Sequence, residues 1–236
     1  MKAAIVDVSS GELLTNRFRI DTPQPATPEA MAVVVHDLVT HFSWTAPAGV
    51  GFPAVVRQGV VGSAANIDGS WIDVDADALF TESAKVQVHM INDADAAGLA
   101  EVRFGAGRGH HGVVMMLTFG TGIGSGLFVD GVLVPNTELG HLELDGFDAE
   151  TRAAASARKR DDLSWSQWAK RVEKYLRHVE GLFSPDLFII GGGASKQAEQ
   201  WLPRIEIGTK IVAAQMANNA GIVGAALIAP LVTPAP

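Results

Sequence analysis

The stretch Leu117–Gly126, LTFGTGIGSG, limits the folds open to this chain more than any other. An apolar run, Val113–Leu117, enters it, and Leu127–Val129 leaves it. Glycines at 120, 122, 124 and 126 predict a tight backbone turn between two strands. A turn without Cβ atoms can present several N–H groups to one anion. A glycine-rich β-hairpin with no ligand fits the same letters. Asp93, Glu138 and His141 gain meaning only in relation to this turn.

Composition narrows the classes further. The 236 residues leave room for one large domain or two smaller ones with sizeable cores. A hydrophobic share of 47% and a charged share of 19% fit an α/β globular protein. No apolar run is long enough to span a bilayer, so no membrane partner is expected. The opening residues MKAAIVDVSSGELL lack the long apolar core of a secretory signal, and a cytoplasmic setting is expected. Cysteine is absent, which excludes disulfides, thiolate zinc sites and cysteine nucleophiles. The net charge of −8 argues against a nucleic-acid partner. Arg158-Lys159-Arg160 is the one dense basic cluster in the sequence and reads most simply as a solvated helix end.

Strands and helices alternate along the chain, which predicts an α/β fold. Lys2–Val8 and Leu13–Ile20 read as paired strands around Ser9–Glu12. Thr27-Pro28 predicts an N-cap followed by proline at the first helical position, with Met31, Val34, Val35 and Leu38 on the buried face. Ala48–Phe52, Val55–Val61 and Val86–Ile91 read as strands, and Asp77–Lys85 and Ala94–Phe104 as helices. Asp130-Gly131 signals a hairpin turn before Val132–Val134. Asp148–Arg160 and Ser164–Phe183 read as helices, the second opened by a Ser164/Gln167 capping box. Leu187–Ile190 is a short buried strand, Ala194–Trp201 is helical, and Asn218–Leu227 forms the last helix.

Three places could carry chemistry besides the glycine stretch. Asn92-Asp93 closes a buried strand just ahead of a helix, where α/β proteins present ligand groups; an aspartate there can equally cap the helix. Glu138 and His141, in TELGH, are three apart and share a face if that turn is helical. Together they offer acceptors and an N–H donor to sugar hydroxyls, or two ligands to a metal, or simply a hydrogen bond to each other. Gly191–Gly193, in FIIGGGAS, lies between a strand and a helix, where a phosphate or nucleobase can be met. It lacks the G-x-G-x-x-G spacing of dinucleotide sites.

In this order, DGSW, INDADAAGLAE, LTFGTGIGSG, ELGH and FIIGGGAS resemble the sugar-kinase branch of the repressor–ORF–kinase (ROK) family, within the actin-like kinase superfamily. NTELGHLEL and the ending WLPRIEIGTKIVAAQMANNAGIVGAA are most similar to its polyphosphate-using glucokinases. The resemblance implies an actin-like (ribonuclease H-like) two-lobed fold. The small lobe would span 1–103, with a helix at 218–232 packing back on it, and the large lobe 104–217. It implies phosphorylation of glucose, with mannose as a second substrate, at the 6-hydroxyl by inorganic polyphosphate and ATP. Asp93 matches the catalytic base. Asn66, Asn92, Glu138 and His141 match sugar-binding positions, and Glu150 is the candidate for a later sugar-binding glutamate. Gly120, Thr121 and Gly122 match the second phosphate loop, and Gly191, Gly192 and Gly193 the nucleotide side. Mg²⁺ accompanies the donor, and a homodimer is implied.

Two departures from the family pattern carry expectations. His141 is followed by LELDGFDAETRAA in place of the cysteine-rich zinc motif of many relatives, so no structural zinc is expected. The family's D-x-G-G-T-x-x-K loop has no counterpart; Lys2 matches only its final lysine, as a phosphate contact. The small lobe is expected to be incomplete and this 236-residue chain inactive or weakly stable. Lys2, Arg103, Arg108 and Lys196 are expected to wall a basic groove for polyphosphate. A non-catalytic sugar-binding regulator of the same family is the alternative reading.

Overall fold

A computed structural model describes residues 1–64 and 67–229. The chain divides into two compact units. The first holds Met1–Ala100 and the described residues from Asn219 onward; the second is Glu101–Asn218.

The first unit begins with β1 (Lys2–Ala3), β2 (Val6–Asp7), β3 (Glu12–Leu13) and β4 (Phe18–Arg19). β1 pairs with β4 and β2 with β3, both antiparallel. The expected hairpin is therefore present but interrupted at residues 4 and 5. Helix α1 (Pro28–His41) starts where its cap predicts: Thr27 accepts from the Ala30 N–H, and Pro28 opens the first turn. β5 (Ala48–Phe52) follows. The expected strand Val55–Val61 is instead a tight hairpin, β6 (Val56–Arg57) and β7 (Val60–Val61). Gln58 and Gly59, with φ of 52° and 82°, turn the chain between them. Helix α2 (Ala76–Ala84) is capped by Asp75. β8 (Val88–Asn92) lies parallel to β5, with Asn92 opposite Phe52, and runs directly into α3 (Asp93–Phe104).

The core of this unit centres on Trp71, whose ring sits 4.7 Å from Phe52 and 5.7 Å from Phe80. Its indole N–H donates to the Ala26 carbonyl, so the one polar atom of the ring is satisfied. Each such buried aromatic side chain is worth about 1.5–3 kcal/mol of transfer energy.

In the second unit β9 (Val113–Phe119), β10 (Ile123–Val129) and β11 (Val132–Val134) form an antiparallel meander. The glycine stretch is therefore split. Only residues 120–122 turn, while Gly124 and Gly126 lie inside β10 opposite Thr118 and Met116. A second hairpin, β12 (Glu143–Leu144) and β13 (Phe147–Asp148), turns at Asp145-Gly146. The expected helix Asp148–Arg160 is broken into α4 (Glu150–Ala153) and α5 (Ala155–Arg160) by the extended backbone of Ala154, at ψ 158°. Trp168 sits at the break, donating its indole N–H to the carbonyls of Ala153 and Ala154. Helix α6 (Trp165–Phe183) carries the predicted capping box. β14 (Leu187–Gly191), α7 (Ala198–Trp201) and β15 (Lys210–Ala213) complete the unit, with a 3₁₀ turn at Gly193–Gln197 where helix was expected. The sheet order is β11-β10-β9-β14-β15, and β9, β14 and β15 run parallel.

Helix α8 (Ala220–Ile228) belongs to the first unit and packs on β5. A Cβ at Gly49 would collide with the Ala225 carbonyl, and one at Gly224 with the Ala96 carbonyl. Backbone-to-backbone contact of this kind admits only glycine.

Candidate functional site

Two residues at the end of β8 divide two jobs between them. The Asn92 side chain is buried, and its Oδ1 accepts the N–H groups of Ala94 at 2.8 Å and Asp95 at 3.1 Å. Its amide donates to the Ala54 carbonyl at 3.1 Å. Asn92 is thus the cap of α3, the part that the sequence left open for Asp93. Asp93 is the first helical residue and keeps an exposed side chain. Enough protein still crowds its carboxyl for desolvation to raise its pKa above the ordinary aspartate value, with the Ala94 and Asp93 backbone N–H groups pulling the other way. A carboxylate raised in this way and open to solvent suits a general base.

In the second unit two glycine turns lie side by side at the carboxyl ends of β9 and β14. Gly191 pairs with Thr118, and a Cβ on Gly192 would sit 2.6 Å from the Phe119 carbonyl oxygen. Gly192 has φ 76°, a conformation that favours glycine. Gly120 bridges its own turn by donating to the Gly122 carbonyl at 3.0 Å. Phe119, just before the turn, is fully buried and meets Trp168, Tyr175 and Trp201 edge-on at 5.9, 6.2 and 5.9 Å. This aromatic cage fixes the point from which the turn springs.

Three contacts fix the turn from the other side. Glu150 Oε2 accepts the Ile123 N–H at 3.0 Å and occupies the space that a Cβ on Gly122 would need. Ser156 donates its N–H to the Gly120 carbonyl at 3.0 Å and its hydroxyl to the Thr121 carbonyl at 2.5 Å. Gly140 lies so close to the Ile123 carbonyl that any Cβ there would clash. The TELGH segment is therefore stapled to the start of β10. Buried Ser125 strengthens the staple, donating to the Thr137 carbonyl at 2.6 Å and accepting from the Leu139 N–H at 3.0 Å.

That segment is a 3₁₀ turn, Leu139–His141, preceded by Glu138. His141 Nε2 lies 3.9 Å from Glu138 Oε2, so the expected pair does come together. The tighter partner is Asp148, which takes the Nδ1 hydrogen bond at 2.8 Å. A carboxylate can only accept, so Nδ1 is the protonated nitrogen. The Asp148 hydrogen bond raises the His141 pKa above the usual histidine value, with the Glu150 and Glu138 charges adding to it.

The second unit therefore gathers Gly120, Thr121, Gly122, Glu138, His141, Glu150 and Gly191–Gly193 around the carboxyl ends of β9 and β14. Asp93 and Asn92 belong to the first unit, as does Lys2, which is exposed on β1 opposite Arg19. Asn66 lies outside the described residues. Sequence reading passed over Asp148, Ser156 and Phe119. Only Asp148 left a signal: the Asp145-Gly146 turn folds it back toward Glu143 and the histidine. His141, Asp148 and Glu150 offer donor atoms within 4.8 Å of one another. Among the described residues no helix is long and apolar enough to cross a membrane.

Comparison with known proteins gives a consistent result. The model of the ROK family matches residues 1–159. A polyphosphate glucokinase of Mycobacterium leprae (strain TN) is 51% identical over 228 residues, covering 96% of this chain and 70% of that protein. A polyphosphate glucokinase of Mycobacterium tuberculosis (strain ATCC 25618 / H37Rv) is 50% identical, covering 96% and 86%. The crystal structure of inorganic polyphosphate/ATP-glucomannokinase from Arthrobacter sp. strain KM superposes with a TM-score of 0.91 at 54% identity, covering 98% of this chain and 94% of that one. A ROK family glucokinase from Streptomyces griseus, in complex with glucose and AMPPNP, superposes at 0.82 with 25% identity, covering 97% and 95%.

Proposed function

This chain belongs to the ROK family, and from that premise we propose that it phosphorylates glucose at the 6-hydroxyl with polyphosphate or ATP as donor. The observation that carries this reading is the division of labour at the end of β8. Asn92 caps the helix, and that leaves the Asp93 carboxylate for chemistry. The fold is the α/β, actin-like fold of ROK sugar kinases, and the two units are assigned as its small and large lobes.

Asp93 takes the proton of the 6-hydroxyl as that oxygen bonds to the terminal phosphorus. The bridging P–O bond breaks, and the donor leaves as ADP or as polyphosphate one unit shorter. Such a transfer depends mainly on position and on charge stabilisation. Glu138 accepts from sugar hydroxyls. His141 presents Nε2 to the sugar, because Asp148 holds Nδ1. Glu150 joins them while bracing the glycine turn. Asn92 acts through α3, whose first turn it holds, with its second amide hydrogen available to a hydroxyl; Asn66 completes the sugar contacts by resemblance. The Gly120–Gly122 turn, beyond the Gly120 N–H that the Gly122 carbonyl takes, and the Gly191–Gly193 turn offer backbone N–H groups to donor phosphates, and Lys2 a charge.

Mg²⁺ bound to the donor phosphates would screen their charge. The His141–Asp148–Glu150 set does not fit it. An imidazole is a poor ligand for this oxygen-seeking ion, and Nδ1 and Oε2 are already bonded. A cytoplasmic homodimer is part of the proposal and rests on the family resemblance alone.

The test is a coupled assay for glucose 6-phosphate on purified chain 1–236, with polyphosphate and with ATP. Turnover with polyphosphate supports the reading and removes the expectation of an inactive chain. No turnover with either donor, despite glucose binding, would favour the sugar-binding regulator.

A further inference from the structure

The chain carries a net charge of −8, yet its cations are unevenly spread. Eight of its 18 lysines and arginines fall within residues 152–177, against three acidic residues there. Helices α4, α5 and α6 carry this segment. In the fold two of these cations are tied together, while Lys174 pairs with Asp145 and Arg177 with Glu173. Arg160 reaches the Thr151 carbonyl and Asp161, and Asp161 also takes Arg171 at 2.6 Å. Arg171 in turn reaches the Arg152 carbonyl. Lys174 lies three residues beyond Arg171 and four beyond Lys170, so it stands between them on one side of α6.

This basic segment begins at the glycine turn. Ser156, on the first turn of α5, bonds to the carbonyls of both Gly120 and Thr121. Lys159 and Arg160 are three and four residues further on, so they share its helix face, about one turn and 5 Å along the axis. Lys159 is exposed, and its side chain makes no hydrogen bond or ion pair among the described residues. Arg158 stacks on Trp165 and donates to the Leu163 carbonyl, so it is held in place by structure.

We propose that a polyphosphate chain whose end lies at Gly120–Gly122 continues along this α5–α6 face, bound by Lys159, Arg160, Lys170 and Arg171. The inference rests on the kinase reading above and adds a subsite that a nucleotide donor, with only three phosphates, does not reach. A chemically uniform polyanion calls for an open row of cations with no shape selectivity. The exposed side chains of Lys159, Arg160 and Lys170, with half-buried Arg171 held behind them by Asp161, provide that in a chain of opposite net charge.

The test is equilibrium binding of long-chain polyphosphate and of ATP to the full chain, over a range of salt. Variants are K159E/K170E, the neutral K159Q/K170Q, and K210E as a charge control. Lys210 opposes Leu187, at the end of the sheet away from the glycine turns. The expected result is polyphosphate binding weakened about tenfold or more in K159E/K170E and less in K159Q/K170Q, with the salt slope lowered by about one for each contact removed. ATP binding stays within about twofold of the parent chain. Unchanged polyphosphate binding, equal loss for ATP, equal loss in K210E, or no polyphosphate binding by the parent chain would overturn the subsite. The glucose 6-phosphate assay on the same samples judges the kinase reading separately, because binding is read without turnover.

Discussion

At the scale of the residue, the site depends on which atoms are already spent. Asp93 and Asn92 are adjacent and similar in shape, but the cap falls to Asn92, and Asp93, left uncapped, is the residue proposed as the base. D93N is expected to lower turnover by about 10²- to 10⁴-fold with glucose binding retained, measured by the coupled assay and by titration. The base must be ionised, so activity in the parent chain falls with pH through a pKa above the ordinary aspartate range. The sign for stability is opposite. A carboxyl whose pKa is raised by folding loses stability as pH rises from the unfolded to the folded value. D93N should therefore melt no lower than the parent at neutral pH. For His141 the raised pKa means stabilisation that is full below the unfolded value and is lost as pH climbs through the folded one. D148N is expected to move the His141 titration down in an NMR pH series; an unmoved titration would remove Asp148 as its cause. Glu138 with His141 could be read from TELGH, because three residues is the repeat of a tight turn. Asp148 could be reached only through the Asp145-Gly146 turn signal, which the expected helix from Asp148 onward concealed.

At the scale of the element, local chemistry was legible where the signal is confined to one turn of chain. The Thr27 cap with Pro28, the Ser164/Gln167 box and the Asp130-Gly131 turn all stand where their side chains dictate. Apolar patterning failed where it could not see a break. Val55–Val61 reads as one strand because valines occupy both arms of what is a four-residue hairpin with Gln58-Gly59 between them. Asp148–Arg160 reads as one helix, but the backbone is extended at Ala154, and buried Trp168 bonds to the Ala153 carbonyl and shares that of Ala154 with the Arg158 N–H. β15 was passed over because its four residues pair with β14 only across the intervening Gly192–Thr209 segment. Helix α3 offers the test at this scale. N92A removes a cap and a buried bond to Ala54, and should cost about 1–3 kcal/mol in denaturant unfolding while reducing turnover with the aspartate intact. A variant of unchanged stability would mean that the cap does not hold this helix.

At the scale of the whole molecule, the chain passes from the first unit to the second at Ala100–Glu101 and returns at Asn218–Asn219. Glu101, fully buried, accepts the N–H groups of Ala106, Gln215 and Met216 at 2.9, 3.1 and 2.6 Å. One carboxylate thus holds the start of the second unit to its end. E101A orphans three donors and is expected to cost about 3–5 kcal/mol, with E101Q milder because one oxygen remains. Equal midpoints for all three proteins in urea would refute that role. By itself the sequence determined the α/β class, the family, the strand end at Asn92-Asp93, the closeness of Glu138 to His141 and the glycine turns, because each is written in a short run of residues whose spacing matches one turn or one strand. Only the tertiary structure decided that Asn92 and not Asp93 is the cap, that Asp148 orients His141, that Glu150 and Ser156 brace the glycine turn, and that Arg160 and Arg171 meet at Asp161. Those facts join residues that are far apart along the chain or carry the same local signal, and packing alone decides which neighbours they meet.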